Sequence, residues 1–381
     1  MVRLTDFFAT YGLKGMSAQI SADEDHPLES FHKTDEVREE SVELTANLSG
    51  CVNYASWQNS VPVLRSLEIC NKTSDLLEDL HLELIASPAF CQQKSWIIQQ
   101  VHPGERFSLT DRQLQLDPDY LNGLNEAERS LVQLRLMHRG QVLAESNQEI
   151  RILARNEWGG MSSMGELLPA FVMPNDPSIA NVLKIAGEIL EEHGHAPALD
   201  GYQSRSPQRA YMLTAAIWSA ISSKSLTYAN PPSSFEKEGQ KVRFPSAILN
   251  DGLATCLDCT LLFASAIEAV GLHPVIIMQN GHCFAGVWLT KKMGGRLIET
   301  DCTEVRKAIA LKELITFETT LITHRPAAPF ETAVSVAAAA TQESEEWKFV
   351  AAIDVRRARS GGITPLASHE PIRRRVGEQD D

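Results

Sequence analysis

The sequence predicts a multidomain protein in which an all-β sandwich precedes an α+β domain. Between residues 41 and 155, apolar residues alternate with polar ones, which is typical of half-buried strands. From residue 178 apolar residues recur at helical spacing, and a strand-rich segment begins near residue 275. Helices followed by a group of strands are typical of an α+β domain. A chain of 381 residues is long enough to hold both domains.

The composition excludes several classes of protein. Apolar residues make up 43% of the chain, and the formal net charge of −14 argues against direct nucleic-acid binding. No segment approaches the roughly 18 apolar residues of a membrane helix, so we expect no membrane association. The N-terminus lacks the apolar core of a signal peptide, and an odd number of cysteines, seven, fits reduced thiols. We therefore expect a cytoplasmic protein.

The first part of the chain predicts a leader and an interaction domain. Residues 1–40 are polar and acidic, as expected of a mobile leader. In residues 41–155, alternation is clearest at 80–84 and 132–136, and residues 138–141 have the composition of a turn. Short strands joined by turns, without a convergent set of acidic and basic groups, indicate an Ig-like β-sandwich that serves packing or interaction.

The second part predicts a linker, a catalytic domain and a tail. Residues 156–177 contain three prolines and read as a linker. Residues 178–330 hold the helical stripes and the strands of the α+β domain. Residues 331–381 are rich in alanine and glutamate and are expected to form a mostly flexible tail, in which only 347–355 fits a docked strand.

A cysteine at the start of a helix is the first candidate for chemistry. Thr255 fits an N-cap, apolar residues follow Cys256 at helical spacing, and Gly271 fits a C-terminal stop. Cys256 therefore falls in the first turn of a buried helix. Free backbone N–H groups and the helix dipole there favour the thiolate, which is the nucleophile of cysteine hydrolases and acyl transferases.

A histidine and two acidic residues follow at suitable places. His282 lies 26 residues after Cys256, at the start of a predicted strand. Asp301 lies 19 residues further on, at the end of a predicted returning strand, and Glu318 lies on the strand after that. A nucleophile needs a base, and the base needs an acidic group that orients it. Either carboxylate is a candidate, with Asp301 preferred because a single hairpin would place it beside His282.

These motifs resemble a known superfamily. A cysteine at a helix start, Gly-His-x-Phe at a strand start and Asp-x-Thr after the next strand together resemble the transglutaminase-like superfamily of papain-type folds. A longer similarity, over residues 61–366, resembles the amino-terminal part of large bacterial proteins. In those, a β domain and a transglutaminase-like domain precede a helicase, and they often lie among mobile or phage-defence genes. This sequence has no Walker-type loop and no helicase motif, so nothing about ATP use carries over.

The resemblance implies a role for each matching residue. The nucleophile would be Cys256 and the base His282, oriented by Asp301 or Glu318. An oxyanion donor, worth about 3 kcal/mol in such sites, would be Gln240. The remaining two candidates are for substrate binding: Trp288, in the strand that His282 begins, and Arg243, which would pair either with Asp258 or with a substrate carboxylate.

The implied activity is attack of a thiolate on a protein or peptide amide. Hydrolysis, as in a cysteine protease, is preferred over deamidation and cross-linking, and no cofactor is expected. The alternative is a catalytically inactive transglutaminase-like module that binds or regulates partner proteins in a defence or nucleoprotein complex. A zinc site is another alternative, because Cys256 and Cys259 form a C-x-x-C, with His282, Cys283 and Cys302 further on. A second close pair is missing, and Cys283 should point away from His282, so no metal is expected.

Overall fold

The computed structural model of the chain describes residues 41–367, which form a mixed α/β structure of helices and strands. The predicted leader at 1–40 and the end of the predicted tail, 368–381, lie outside the described residues. Within the described part, none of the helices combines the length and the apolar character that crossing a bilayer requires.

The first region contains two sheets that share one core. Its strands are β1 Val42–Leu48, β2 Cys51–Val52, β3 Leu64–Asn71, β4 Leu77–Ser87, β5 Lys94–Val101, β6 Arg106–Ser108, β7 Glu128–His138 and β8 Gln141–Ile152, with short helices α1 Tyr54–Gln58 and α2 Pro118–Gly123. One sheet has the order β1-β3-β6 and the other β2-β8-β7-β4-β5. The alternation predicted for 80–84 and 132–136 is confirmed, because every second residue of β4 and β7 there is buried in that shared core.

Residues 156–177 differ from the predicted linker. They contain β9 Glu157–Trp158, α3 Gly160–Met164 and a 3₁₀ helix, Gly165–Phe171. The Trp158 side chain is fully buried, and its Nε1 donates a hydrogen bond to the carbonyl oxygen of Met164 at 2.9 Å. This segment shares a hydrophobic cluster with Cys256, because its large apolar side chains can be shielded from water only by packing inside the domain. It is therefore part of the core.

The remaining elements form a helical layer against a central sheet. The helices are α4 Pro177–Glu192, α5 Pro207–Ser222, α6 Phe235–Glu238, α7 Pro245–Asp251, α8 Cys256–Ala269, α9 Cys302–Ala310, α10 Phe330–Ala340 and α11 Val355–Ser360. The strands are β10 Thr227–Tyr228, β11 Gln240–Lys241, β12 Leu253–Ala254, β13 Pro274–Gln279, β14 His282–Trp288, β15 Ile298–Glu299, β16 Leu314–Phe317 and β17 Phe349–Asp354. The central sheet has the order β15-β17-β13-β14-β16.

Helix α8 is buried between the other helices and the sheet. Every residue from Cys256 to Ile267 is buried. Phe263 of α8 stacks on Trp218 of α5 with ring centroids 5.4 Å apart, and it meets Phe317 of β16 edge-on at 5.3 Å. Burying each such ring stabilises the fold by about 1.5–3 kcal/mol. This aromatic packing fixes the helix that carries Cys256 against the strands that carry its partners.

The predicted flexible tail from residue 331 is wrong for the residues up to 360. Helix α10 and strand β17 fold onto the domain, and β17 lies between β13 and β15. Ala351 and Ile353 of this strand are fully buried. Small and β-branched apolar residues fit a strand whose two edges are both paired. The docked strand predicted for 347–355 is therefore present, and it is an interior strand of the sheet.

Candidate active site

A capping box fixes the start of helix α8. Thr255 Oγ1 accepts a hydrogen bond from the Asp258 backbone N at 3.2 Å, and the Asp258 carboxylate accepts one from the Thr255 backbone N at 3.0 Å. Cys256 is the first helical residue, and Gly271 follows the helix with a φ of +81°. The predicted cap and stop are thus confirmed. The Cys256 thiol lies where the helix dipole stabilises a negative charge.

The pairing of β14 with β16 brings His282 and Glu318 close together. Ala285 of β14 pairs with Phe317 of β16, so the same register places Glu318 opposite Phe284, two residues from His282 on one face. His282 Nε2 lies 2.7 Å from Glu318 Oε2. The other oxygen of that carboxylate accepts hydrogen bonds from the backbone N of Thr320 at 2.9 Å and from its hydroxyl at 2.7 Å. Glu318 is therefore held in place and in turn holds the imidazole ring.

The Cys256 thiol completes a row of three groups. His282 interacts with both Glu318 and Cys256. Because Nε2 is taken by Glu318, Nδ1 is the ring nitrogen that is left for the thiol. If Nε2 carries a proton that it donates to the carboxylate, Nδ1 is an acceptor. This is the arrangement that a nucleophile, a base and an orienting acid require.

The pKa values of Cys256 and Glu318 are lowered, and that of His282 is raised. The neighbouring Cys283 thiol, together with His282, lowers the pKa of Cys256 to about 5 against the opposing effect of burial. Burial alone would lower the pKa of His282, but hydrogen bonding and charge from Cys256 and Glu318 raise it to about 10. Burial likewise opposes ionisation of Glu318, yet the bond to His282 leaves the pKa of that carboxyl lowered. At neutral pH the site therefore holds a thiolate beside an imidazolium.

Asp301 is not the orienting acid, which corrects the preferred sequence prediction. Strand β15, which precedes it, pairs with β17 rather than with β14. Two strands, β17 and β13, therefore separate Asp301 from His282. The exposed Asp301 carboxylate instead caps α9, where it accepts a hydrogen bond from the Thr303 backbone N at 2.8 Å. A hairpin does not form because both sides of β14 are occupied by other strands, β13 on one side and β16 on the other.

The side chain of Gln240 lies beside the start of α8. It is buried on β11, and its Nε2 donates to Thr255 Oγ1 at 3.0 Å. Its Oε1 is also buried and has no hydrogen-bond partner within residues 41–367. The predicted oxyanion donor is thus bonded to Thr255, the residue that directly precedes Cys256 and caps its helix.

Arg243 binds Asp258. Its Nη1 lies 2.9 Å from the Asp258 carboxylate, and its backbone N donates to the same carboxylate at 2.8 Å. The Asp258 side chain is fully buried, whereas that of Arg243 is 36% exposed. Of the two alternatives predicted for Arg243, pairing with Asp258 is the one that is observed. The arginine braces the loop before α8, and its contact with a substrate carboxylate is not supported.

Trp288 lies far from the thiol. It is the last residue of β14, and six residues of strand separate it from His282 by about 20 Å. Its Nε1 donates to the Asp354 carboxylate at 2.8 Å. The prediction that Trp288 binds substrate is therefore wrong for a substrate held at Cys256, because strand geometry carries this side chain to the opposite end of the sheet.

Two neighbours of the thiol were missed by sequence reasoning. Tyr228 pairs in register with Ala254, two residues before Cys256, through the short parallel strands β10 and β12. Burial, with the charge and hydrogen bonding of Cys256, raises the pKa of Tyr228. Two-residue strands leave no periodic signal, so Tyr228 could not be found from the sequence. Cys283 was hidden by strand alternation, which predicts that it faces away from His282 and so gives no sign that both residues lie beside the same thiol.

The cysteines of the alternative zinc site do not all meet. Cys302 lies on α9, where its sulfur contacts the Thr341 carbonyl oxygen at 3.8 Å, away from Cys256. Across residues 41–367, His, Cys, Asp and Glu side chains form no group of three or more arranged to hold a metal ion.

Comparison with known proteins adds no family assignment. The chain matches no protein-family model, and a search of curated proteins finds no significant match. Assignment of chemistry therefore depends on the geometry around Cys256, His282 and Glu318.

Proposed function

We propose that this protein is a cysteine amidohydrolase that acts on a protein or peptide amide through Cys256, His282 and Glu318. The observation that carries the proposal is the His282 ring, which is bonded to a buried glutamate on one side and lies beside the thiol on the other. The α+β region would then be a transglutaminase-like domain of papain type. The preceding two-sheet region would be an Ig-like sandwich that contributes an interaction surface.

The reaction would proceed through an acyl-enzyme. The Cys256 thiolate attacks the amide carbonyl carbon, and a C–S bond forms as the carbonyl oxygen becomes an oxyanion. The His282 imidazolium then gives its proton to the leaving nitrogen, and the C–N bond breaks. Water, deprotonated by His282, hydrolyses the thioester and regenerates the thiolate. Glu318 keeps the ring oriented and stabilises its positive charge in each step.

Two side chains would stabilise the oxyanion. Tyr228 presents a hydroxyl beside Cys256. Gln240 has an amide oxygen that finds no partner among the described residues, and its amide nitrogen is bonded to the Thr255 hydroxyl. Half a turn of this amide would let Thr255 donate to Oε1 and would free Nε2 for the substrate. Removal of one such donor typically costs about 10²- to 10³-fold in turnover.

The substrate would reach the thiol between two partly exposed side chains. Cys256 itself has no exposed surface. Tyr228 is 37% exposed, and the His282 side chain is 31% exposed. A small displacement of the tyrosine ring would open the thiol to an extended peptide. The tyrosine would therefore act both as cover and as hydrogen-bond donor.

The decisive experiment compares Cys256→Ala with Cys259→Ala, which removes the other buried thiol of the same helix. A library of N-terminally blocked peptides is incubated with each protein, and mass spectrometry scores cleavage, glutamine deamidation and incorporation of an added amine. We expect one of these products with the parent protein and with Cys259→Ala, and none with Cys256→Ala. Product formation that persists in Cys256→Ala would refute the assignment.

Burial of Cys256 favours one alternative, a catalytically inactive module that binds partner proteins of a defence or nucleoprotein complex. Iodoacetamide labelling at pH 7 separates the two functions. Rapid labelling of Cys256 that is lost in His282→Ala supports the enzyme, because the imidazolium maintains the thiolate. Slow labelling that does not depend on His282 supports the binding module.

A further inference from the structure

Cys283 is a buried thiol that the proposed mechanism does not use. It follows His282 on β14, and strand alternation turns it toward α8. Cys283 and Cys256 belong to the same hydrophobic cluster, and neither has exposed surface. Two cysteines thus meet where the helix that carries the nucleophile packs on the strand that carries the base.

Thr260 connects the two cysteines. Its hydroxyl donates a hydrogen bond to the Cys256 carbonyl oxygen at 2.8 Å. The Thr260 hydroxyl oxygen also lies 3.7 Å from the Cys283 sulfur. The thiols also interact with each other, since Cys283 lowers the pKa of Cys256 while burial and Cys256 raise that of Cys283. These opposed shifts favour the negative charge on Cys256 and the proton on Cys283.

We propose that Cys256 and Cys283 form an oxidisable thiol pair that reacts with a hydroperoxide and closes to a disulfide. The inference rests on the packing of both cysteines in one hydrophobic cluster and on their shared neighbour Thr260. It does not require the protein to hydrolyse amides. The reacting partner is defined chemically as a small hydroperoxide, because Cys256 has no exposed surface and a small molecule needs the least displacement of the surrounding side chains to reach it.

The chemistry balances in two steps. The Cys256 thiolate attacks the terminal oxygen of the hydroperoxide, so that an S–O bond forms, the O–O bond breaks and the departing oxygen takes a proton from His282 to leave as water or an alcohol. Cys283 then attacks the sulfenic sulfur, an S–S bond forms and the S–O bond breaks. The hydroxide leaves as water with the Cys283 proton. Two thiols are oxidised by two electrons, and one hydroperoxide is reduced.

Cys259 is the competing partner, and the packing disfavours it. Although it lies one helical turn from Cys256, its side chain belongs to a different hydrophobic cluster, with Leu262 and Phe263. Cys283 lies in the cluster of Cys256 and shares a hydrogen-bonding neighbour with it. The structure therefore assigns Cys283 as the resolving thiol. Disulfide formation would remove the nucleophile and make amide hydrolysis reversibly sensitive to oxidants.

The test maps disulfides in the folded full-length chain. The protein is titrated with hydrogen peroxide, the remaining thiols are alkylated, and non-reduced peptides are analysed by mass spectrometry. We expect a Cys256–Cys283 linked peptide in the parent protein and in Cys259→Ser. In Cys283→Ser, Cys256 should instead reach the sulfinic acid, and dithiothreitol, which restores the parent thiol, should not restore it.

Three results would overturn the inference. They are the absence of a linked peptide in the parent protein at peroxide concentrations that consume Cys256, a link to Cys259, and failure of Cys256 to react with peroxide at all. The parent measurement stands by itself if Cys283→Ser does not fold. The test detects linked peptides and does not measure amide hydrolysis. Failure of the amidohydrolase proposal would therefore leave this result unaffected, and failure of the disulfide proposal would leave the amidohydrolase proposal unaffected.

Discussion

His282 Nε2 lies 2.7 Å from Glu318 Oε2, across adjacent antiparallel strands β14 and β16. The glutamate is the last residue before a 3₁₀ helix, and its other carboxylate oxygen caps that helix through Thr320. Glu318 therefore lies where β16 ends, and its carboxylate both caps the 3₁₀ helix and orients the imidazole. This relationship decides which acid the site uses.

Glu318→Gln should lower turnover by roughly 10²- to 10⁴-fold, because the amide still fits the space but no longer stabilises an imidazolium. The matched control is Asp301→Asn, which changes the other predicted acid and should leave turnover unchanged. The measurement is kcat for whichever amide product the peptide library yields. An equal loss in both variants would show that Glu318 has no special role.

The pH dependence should follow the opposed pKa shifts of Cys256 and His282. The thiolate exists above the lowered pKa of about 5, and the imidazolium exists below the raised pKa of about 10. The ion pair is therefore populated between these two values, and kcat/KM should fall on both sides of that window. Iodoacetamide alkylation of Cys256 should rise through pH 5. In His282→Ala, the alkylation midpoint should move up toward the ordinary thiol value of about 8.5.

Tyr228→Phe should distinguish the role of Tyr228 in covering the Cys256 thiol from its role as a hydrogen-bond donor to the oxyanion. The ring remains, so KM should change little, while loss of the hydroxyl should lower kcat by about 10²-fold if it donates to the oxyanion. Loss of a donor to the thiolate should also raise the alkylation midpoint of Cys256. Tyr211→Phe, in α5, is the control for removal of a tyrosine hydroxyl elsewhere in the domain. Unchanged kcat in Tyr228→Phe would limit this residue to packing.

Arg243→Ala should destabilise the fold by about 2–3 kcal/mol, since it leaves the fully buried Asp258 carboxylate without its cation. The loss stays below that of a fully buried pair because Arg243 is partly solvated. Arg129→Ala is the control, because the Arg129–Glu149 pair is 75% and 55% exposed and should contribute under about 1 kcal/mol. Urea unfolding measures both. Similar midpoints for the two variants would contradict the bracing role of Arg243.

The sequence predicted those features of the site that depend only on residues close together in the chain. The Thr255 cap, the helix that begins at Cys256 and the glycine stop depend on residues within a few positions of one another. The strand that begins at His282 follows from an apolar segment after a turn. Segment 156–177 was mistaken for a linker because proline and glycine content outweighed its buried apolar side chains.

What the sequence by itself determined is that a thiol begins a buried helix and a histidine begins a strand. Which carboxylate meets that histidine was decided only by tertiary structure, since β16 takes the place beside β14 that a hairpin would have given to β15, and β15 pairs with β17 instead. Strand order depends on long-range pairing and core burial, which local periodicity does not encode. The same long-range packing brought Tyr228 and Cys283 to the thiol.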